Sequence, residues 1–168
     1  MRPVKAVAAL IVACALVATP AAHAQMGGGV MGGSSAPQED PTVPYNAGIA
    51  AFNAGNHAEA VRQLRAARRA APNDNAINYA LGLALNATGE KEDARQAFQR
   101  ASRGRNAPYQ ARLQLGLVAL ELGDREAAVE QQTALQGLVT SCDARCGDQR
   151  RAELQSALDQ LTRALTLP

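Results

Sequence analysis

The 168-residue sequence predicts an all-α solenoid of three helix pairs closed by a C-terminal capping helix, and three observations carry that expectation. The first is a fixed spacing. Gly48, Gly82 and Gly116 lie 34 residues apart, as do Gly55, Gly89 and Gly123, and Ala60, Ala94 and Ala128. At the same interval Leu64 matches Phe98 and Ala67 matches Ala101. A 34-residue period of two helices marks a repeat architecture. The second is punctuation, with turns at Gly55-Asn56, Thr88-Gly89-Glu90 and Gly123-Asp124. The third is a closing stripe, Leu154, Leu158, Leu161 and Leu165, whose spacing puts all four on one face of a helix.

These residues resemble the tetratricopeptide repeat family. Its pattern is a small residue early in the first helix, a Gly-Asp/Asn turn, then Ala, a large apolar residue, Ala and Pro. Gly48, Gly55-Asn56, Ala60, Leu64, Ala67 and Pro72 meet it. The resemblance spans about 41–137. It implies a protein-binding module and says little about which protein is bound.

The chain opens on a segment that reads as an address rather than as fold. Arg2 and Lys5 precede the apolar run 6–18, Pro20 breaks it, and Ala22-His23-Ala24 is a small-x-small cleavage pattern. Residues 1–24 are expected to be a signal peptide cut after Ala24, sending the mature chain to a periplasm or outside the cell. The run is shorter than the ~20 apolar residues a membrane span needs. A lipoprotein-like box at Ile11-Val12-Ala13-Cys14 is the alternative, with Cys14 as a lipid anchor in the envelope. Against it, Ala15 to Ala18 stay apolar.

Loss of Arg2 and Lys5 takes the 17 basic residues to 15, equal to the 15 acidic ones. A neutral mature chain has no bulk pull toward nucleic acid. Residues 25–40 read as a flexible Gly/Ser-rich linker, too poor in large apolar groups to offset the entropy of ordering. Its Met26 and Met31 have no nearby His with which to hold copper.

The repeats then follow as 41–74, 75–108 and 109–137. The first pairs a helix over 43–54, with Pro44 in its first turn, with one over 57–70 stopped by Pro72-Asn73-Asp74. The third departs from the pattern: Gln132 replaces the large apolar residue of the second helix, and Leu135 replaces the Ala. That predicts different packing, or a more exposed helix, at the end of the array.

Within the first helix of each pair the residues divide by angle. Ala47, Gly48 and Ala51, then Leu81, Gly82 and Leu85, then Leu115, Gly116 and Ala119 form the expected core face. On the other face lie Tyr45, Ile49 and Phe52, then Tyr79, Leu83 and Asn86, then Leu113, Leu117 and Leu120. In the family that second face lines the concave groove. An apolar face of this size needs covering: by a bound peptide, a second copy of the chain, or the chain's own last helix. The candidate groove is therefore Tyr45, Asn46, Ile49, Asn53, Tyr79, Leu83, Asn86, Leu113 and Leu117. Its Asn side chains can hydrogen-bond a peptide backbone, and its tyrosines are expected to stand outside the core between paired helices. The arginines Arg62, Arg65, Arg68, Arg69, Arg95, Arg100, Arg103 and Arg105 fall on the expected convex side, where a solvated face is the ordinary outcome.

Only Cys142 and Cys146 remain in the mature chain, and an oxidising destination favours a disulfide. Cβ atoms four apart on a regular helix lie ~5–6 Å apart, beyond the ~3.5–4.5 Å a disulfide needs. A loop over 138–147 is therefore expected, with Gly137, Asp143 and Gly147 as its turn residues. A bridge this short is worth ~2 kcal/mol on the chain-entropy account. Thiol-redox or metal chemistry at the pair is the alternative, but His57 is the sole mature His and further ligands are lacking. The capping helix is expected over 148–165.

No catalytic set, phosphate-cradling loop or paired-carboxylate motif stands out, so no enzyme, cofactor or metal is expected. The expectation is an exported module binding a protein or peptide in an apolar groove. A structural subunit of an envelope or pilus assembly machine is the rival.

Overall fold

The computed structural model describes residues 40–104, 106–142 and 146–166. The expected signal peptide, Cys14, the linker as far as residue 39, and Arg105 lie outside them. Seven helices follow in order: α1 Thr42–Asn53, α2 His57–Ala70, α3 Asn75–Ala87, α4 Lys91–Ala101, α5 Tyr109–Glu121, α6 Arg125–Ser141 and α7 Asp148–Thr166. α1, α3 and α5 each pair with the next helix, α2 stacks on α3, α4 stacks on α5, and α7 lies against both α5 and α6.

The three glycine turns close identically. Gly55, Gly89 and Gly123 have φ of 78, 83 and 79°, the left-handed region a side chain disfavours. The following amides of Asn56, Glu90 and Asp124 donate back to the carbonyls of Ala51, Leu85 and Ala119 at 2.9, 2.9 and 2.8 Å. This is the bond pattern of a Schellman stop, which satisfies carbonyls the helix end would leave bare. Asp74 and Asp124 then start α3 and α6 by accepting the Ile77 and Ala127 amides at 2.9 and 3.0 Å.

Glycine also sets how closely the paired helices approach. A Cβ at Gly48 would lie 2.6 Å from Leu64 Cγ, and one at Gly82 2.5 Å from Phe98 Cε1. In the third repeat the knob comes from elsewhere: a Cβ at Gly116 would meet Leu161 of α7 at 2.7 Å. Leu161, fully buried, supplies the bulk that Gln132 lacks. Gln132 instead turns to α7, where its Nε2 donates to Thr162 Oγ1 at 2.9 Å. The altered packing expected at the end of the array is this substitution of α7 for the missing side chain.

Two expectations need correction. The second helix of repeat three does not end near 137. It runs on to Ser141, because Leu135, Leu138 and Val139 continue an apolar stripe that packs with α7. Gly137 is thus inside α6, not in the disulfide loop, and the chain leaves helical geometry at Cys142 (φ −76°, ψ 86°). Ala47 is exposed rather than core. Its counterparts Leu81 and Leu115 are buried against the preceding repeat, whereas among the described residues nothing stacks on that side of α1. Val43, 72% exposed, shares the same edge.

Cys142 and Cys146 are joined, with Cα atoms 5.3 Å apart. The bridge spans the exit of α6 and the entry of α7, and both cysteines pack against the core shared by α5, α6 and α7.

Candidate functional site

The predicted groove residues fall into two sets. Tyr45, Ile49, Tyr79 and Leu83, with Phe52, are half-buried and pack on a core that runs from α1 to α5. Leu113 and Leu117 belong instead with the second core, whose other wall is Leu154, Ala157, Leu158, Leu161 and Leu165 of α7. Leu113 is 8% exposed. The chain's own last helix therefore covers part of the third repeat's apolar face. The strip on α1 and α3 stays half open.

Tyr79 is not outside the packed interior. Its ring lies 5.9 Å from that of Phe98, tilted by 52°, so one edge of Tyr79 completes the α3–α4 contact. Burial, followed by the nearby Tyr109, raises its pKa. Among the described residues Tyr45 has no such ring partner, and it lines a cleft of about 170 Å³ with Pro41, Thr42, Asp74, Ala76 and Ile77.

The three asparagines also differ. Asn46 and Asn53 are exposed. Asn86 is committed: its Oδ1 accepts from Lys91 Nζ at 2.7 Å, and that ammonium pairs with Glu121 at 2.5 Å. This chain of contacts joins the turns of repeats two and three.

At the other end the face widens into a cleft of about 520 Å³ between α5 and α7. Tyr109 and Leu113 form its floor, with Gln110, Gln149, Glu153, Ser156 and Gln160 around it. Sequence reasoning missed this wall, since only packing shows which side of α7 faces α5. Tyr109 is held from two directions. Its hydroxyl donates to Glu153 Oε2 at 3.4 Å, and the Arg150 guanidinium sits 4.5 Å over its ring. Burial first, then the Glu153 charge, raise its pKa, with Arg150 opposing.

Asn78 was also missed. It is fully buried, and its Nδ2 donates to the carbonyls of Pro72 and Asp74 at 2.9 and 2.7 Å, stapling the α2–α3 turn. Its apolar surroundings in sequence, Ile77 and Tyr79, gave no sign of a buried amide.

Several arginines of α2 and α4 bind within the fold. Arg65 bonds Glu90 at 2.9 Å and Asp93 at 3.1 Å, Arg95 pairs with Asp124 at 3.4 Å, and Arg62 pairs with Glu59. Pairs this exposed contribute little to stability, but Arg65 and Arg95 each link one repeat to the next.

The family model described as "Tetratricopeptide repeat" matches residues 45–111, from α1 into α5. That stretch is similar to the tetratricopeptide repeat, a family of protein-interaction scaffolds that are typically not catalytic. A solved structure titled "Crystal structure of MamA" is similar in fold, with a TM-score of 0.54 at 20% identity, over 77% of this chain and 80% of that one. No curated protein matches the sequence. Among the described residues no helix is long and apolar enough to cross a membrane.

Proposed function

We propose that this chain is an exported interaction module that takes an apolar, aromatic-seeking segment of a partner protein along the α1–α3 face. The observation that carries this reading is the strip Tyr45, Ile49, Phe52 and Leu83, half-buried against the first core and apart from the core that α7 shares. Buried aromatic anchors in such a strip are each worth ~2 kcal/mol or more to binding. The family's groove lies on these same helices. Because α7 covers Leu113, the segment bound is short, about two repeats long, and ends at the amide-lined cleft beside Tyr109.

Export is the other half of the proposal. It rests on the charged, apolar and small-x-small order of residues 1–24, together with a disulfide between the two cysteines that would remain. The intact mass of native protein distinguishes the two addresses: a chain starting at Gln25 supports soluble export, and an acylated chain starting at Cys14 makes it envelope-anchored. For the groove, Tyr45→Ala with Leu83→Ala is the test pair, since both are half-buried in the strip and neither stacks on the buried Phe98 ring as Tyr79 does. Loss of partner capture with unchanged helicity supports the reading. Unchanged capture removes it.

A further inference from the structure

Not all the arginines are neutralised. Among the described residues Arg62, Arg65 and Arg95 form ion pairs with carboxylates, whereas Arg69, Arg100 and Arg103 form none and Arg68 feels Asp93 without pairing with it. Two of the latter, Arg100 and Arg103, line an open cleft of about 430 Å³ with Asn73, Asn75, Gly104 and Asn106. Among the described residues no carboxylate lines it.

The cleft is assembled from the α2–α3 turn and the segment that leads from α4 toward α5. Asn75 Nδ2 donates to the Arg103 carbonyl at 3.2 Å, tying the two together. Gly104, at φ 83°, also lines the opening. Asp74, the adjacent acid, is engaged by the Ile77 amide at 2.9 Å. Cationic crowding extends to Arg68, whose pKa is lowered by burial and then by the charges of Arg100 and Arg65, with Asp93 opposing. Arginines in a helix's last turn ordinarily complement its negative end, which accounts for Arg68, Arg69 and Arg100. It does not account for Arg103, which lies beyond α4, nor for Asn73 and Asn106, which line the same opening.

We propose that this cleft binds a phosphate-type oxyanion, inorganic phosphate or a phosphomonoester, between Arg100 and Arg103. Planar guanidinium groups donate paired hydrogen bonds to phosphate oxygens, and the Asn73 and Asn106 amides supply neutral donors to the remaining ones. A carboxylate, with one charge and two oxygens, would leave one arginine and most of the donors unused. The site shares no residue with the groove, so binding of phosphate and of a partner segment are separable.

The test is an amide-resolved NMR titration of the full chain with inorganic phosphate against chloride of equal ionic strength. Saturable shifts at Asn73, Asn75, Gly104 and Asn106 are expected. The double variant Arg100→Gln, Arg103→Gln should weaken them by about tenfold or more, and Arg62→Gln should leave them unchanged. A second arm separates the sources of the anion: flotation with phosphatidylcholine vesicles containing phosphatidic acid. Flotation that disappears in the double variant assigns a lipid headgroup. Phosphate binding without flotation assigns a soluble phosphate. Shifts no larger than those of chloride together with no Arg-dependent flotation, or binding unaltered in the double variant, would overturn the proposal.

Discussion

Leu161→Ala is the perturbation that bears most directly on how the array ends. Leu161 is fully buried, and its δ-carbons occupy the space a Gly116 side chain would need, at 2.7 and 2.9 Å from the Cβ position. Truncating such a leucine costs ~2–5 kcal/mol as lost burial plus residual cavity. For a domain of this size ~3 kcal/mol corresponds to a fall in Tm of ~10 °C. The reciprocal change, Gly116→Ala, inserts a methyl against Leu161 and at 3.3 Å from Gln131 Cβ, and should cost ~1–3 kcal/mol. Combining the two lets the new methyl occupy part of the vacated volume. The double variant should therefore be more stable than the sum of the singles by ~1 kcal/mol or more. Urea unfolding followed by circular dichroism measures all four species. Repeat arrays can unfold in segments, so equal m-values across the four are a condition of the comparison. A Leu161→Ala cost below ~1 kcal/mol, or strict additivity, would refute the claim that α7 supplies the missing knob of repeat three.

Three further outcomes are expected. Asn78→Ala removes two hydrogen bonds made by a fully buried amide and takes from the Pro72 carbonyl the donor that staples the turn, while the Asp74 carbonyl keeps the backbone amide of residue 78 at 3.1 Å. It should cost ~2–3 kcal/mol in chemical denaturation, where an exposed Asn53→Ala costs less than ~0.5. Tyr79 and Tyr109 have pKa values raised above the ordinary 10.0. The unfolded chain thus ionises first, and stability should be level below about pH 10 and fall as pH rises toward the folded values, a decline that Tyr109→Phe makes shallower. Cys142→Ser with Cys146→Ser should lower stability by up to ~2 kcal/mol. An unchanged melting temperature would make the bridge incidental to the placement of α7.

Much of the fold was legible because its determinants are local and repeated. Gly48, Gly82, Gly55, Gly89 and the alanines answer to steric demands that recur every 34 residues, so one sequence shows the same constraint three times. The end of the array was legible only as a break in pattern. Gln132 announced that something was missing, but nothing local said that Leu161, 29 residues later, would fill it. The α6 boundary was misplaced because Gly137 looks like a stop. The apolar residues on either side, Leu135 and Leu138, carry the helix through it. The packing of the apolar face was half legible. Period and angle identified the apolar face, but which part of it α7 covers, and that Tyr79 leans on Phe98, depend on tertiary packing that spacing does not encode.

The central claim is that a partner segment lies along the α1–α3 face. Photo-crosslinking tests it most directly, with a benzophenone side chain at Leu83 in the full chain and, as comparison, at the exposed Gln99 of α4. Cells that produce the chain natively are irradiated, and the cross-linked peptides are identified by mass spectrometry. The account predicts a recurrent apolar peptide from one partner protein joined to position 83 and absent at position 99. Products at position 83 that are only this chain's own residues or a second copy of it, or partner peptides joined solely at position 99, would contradict it.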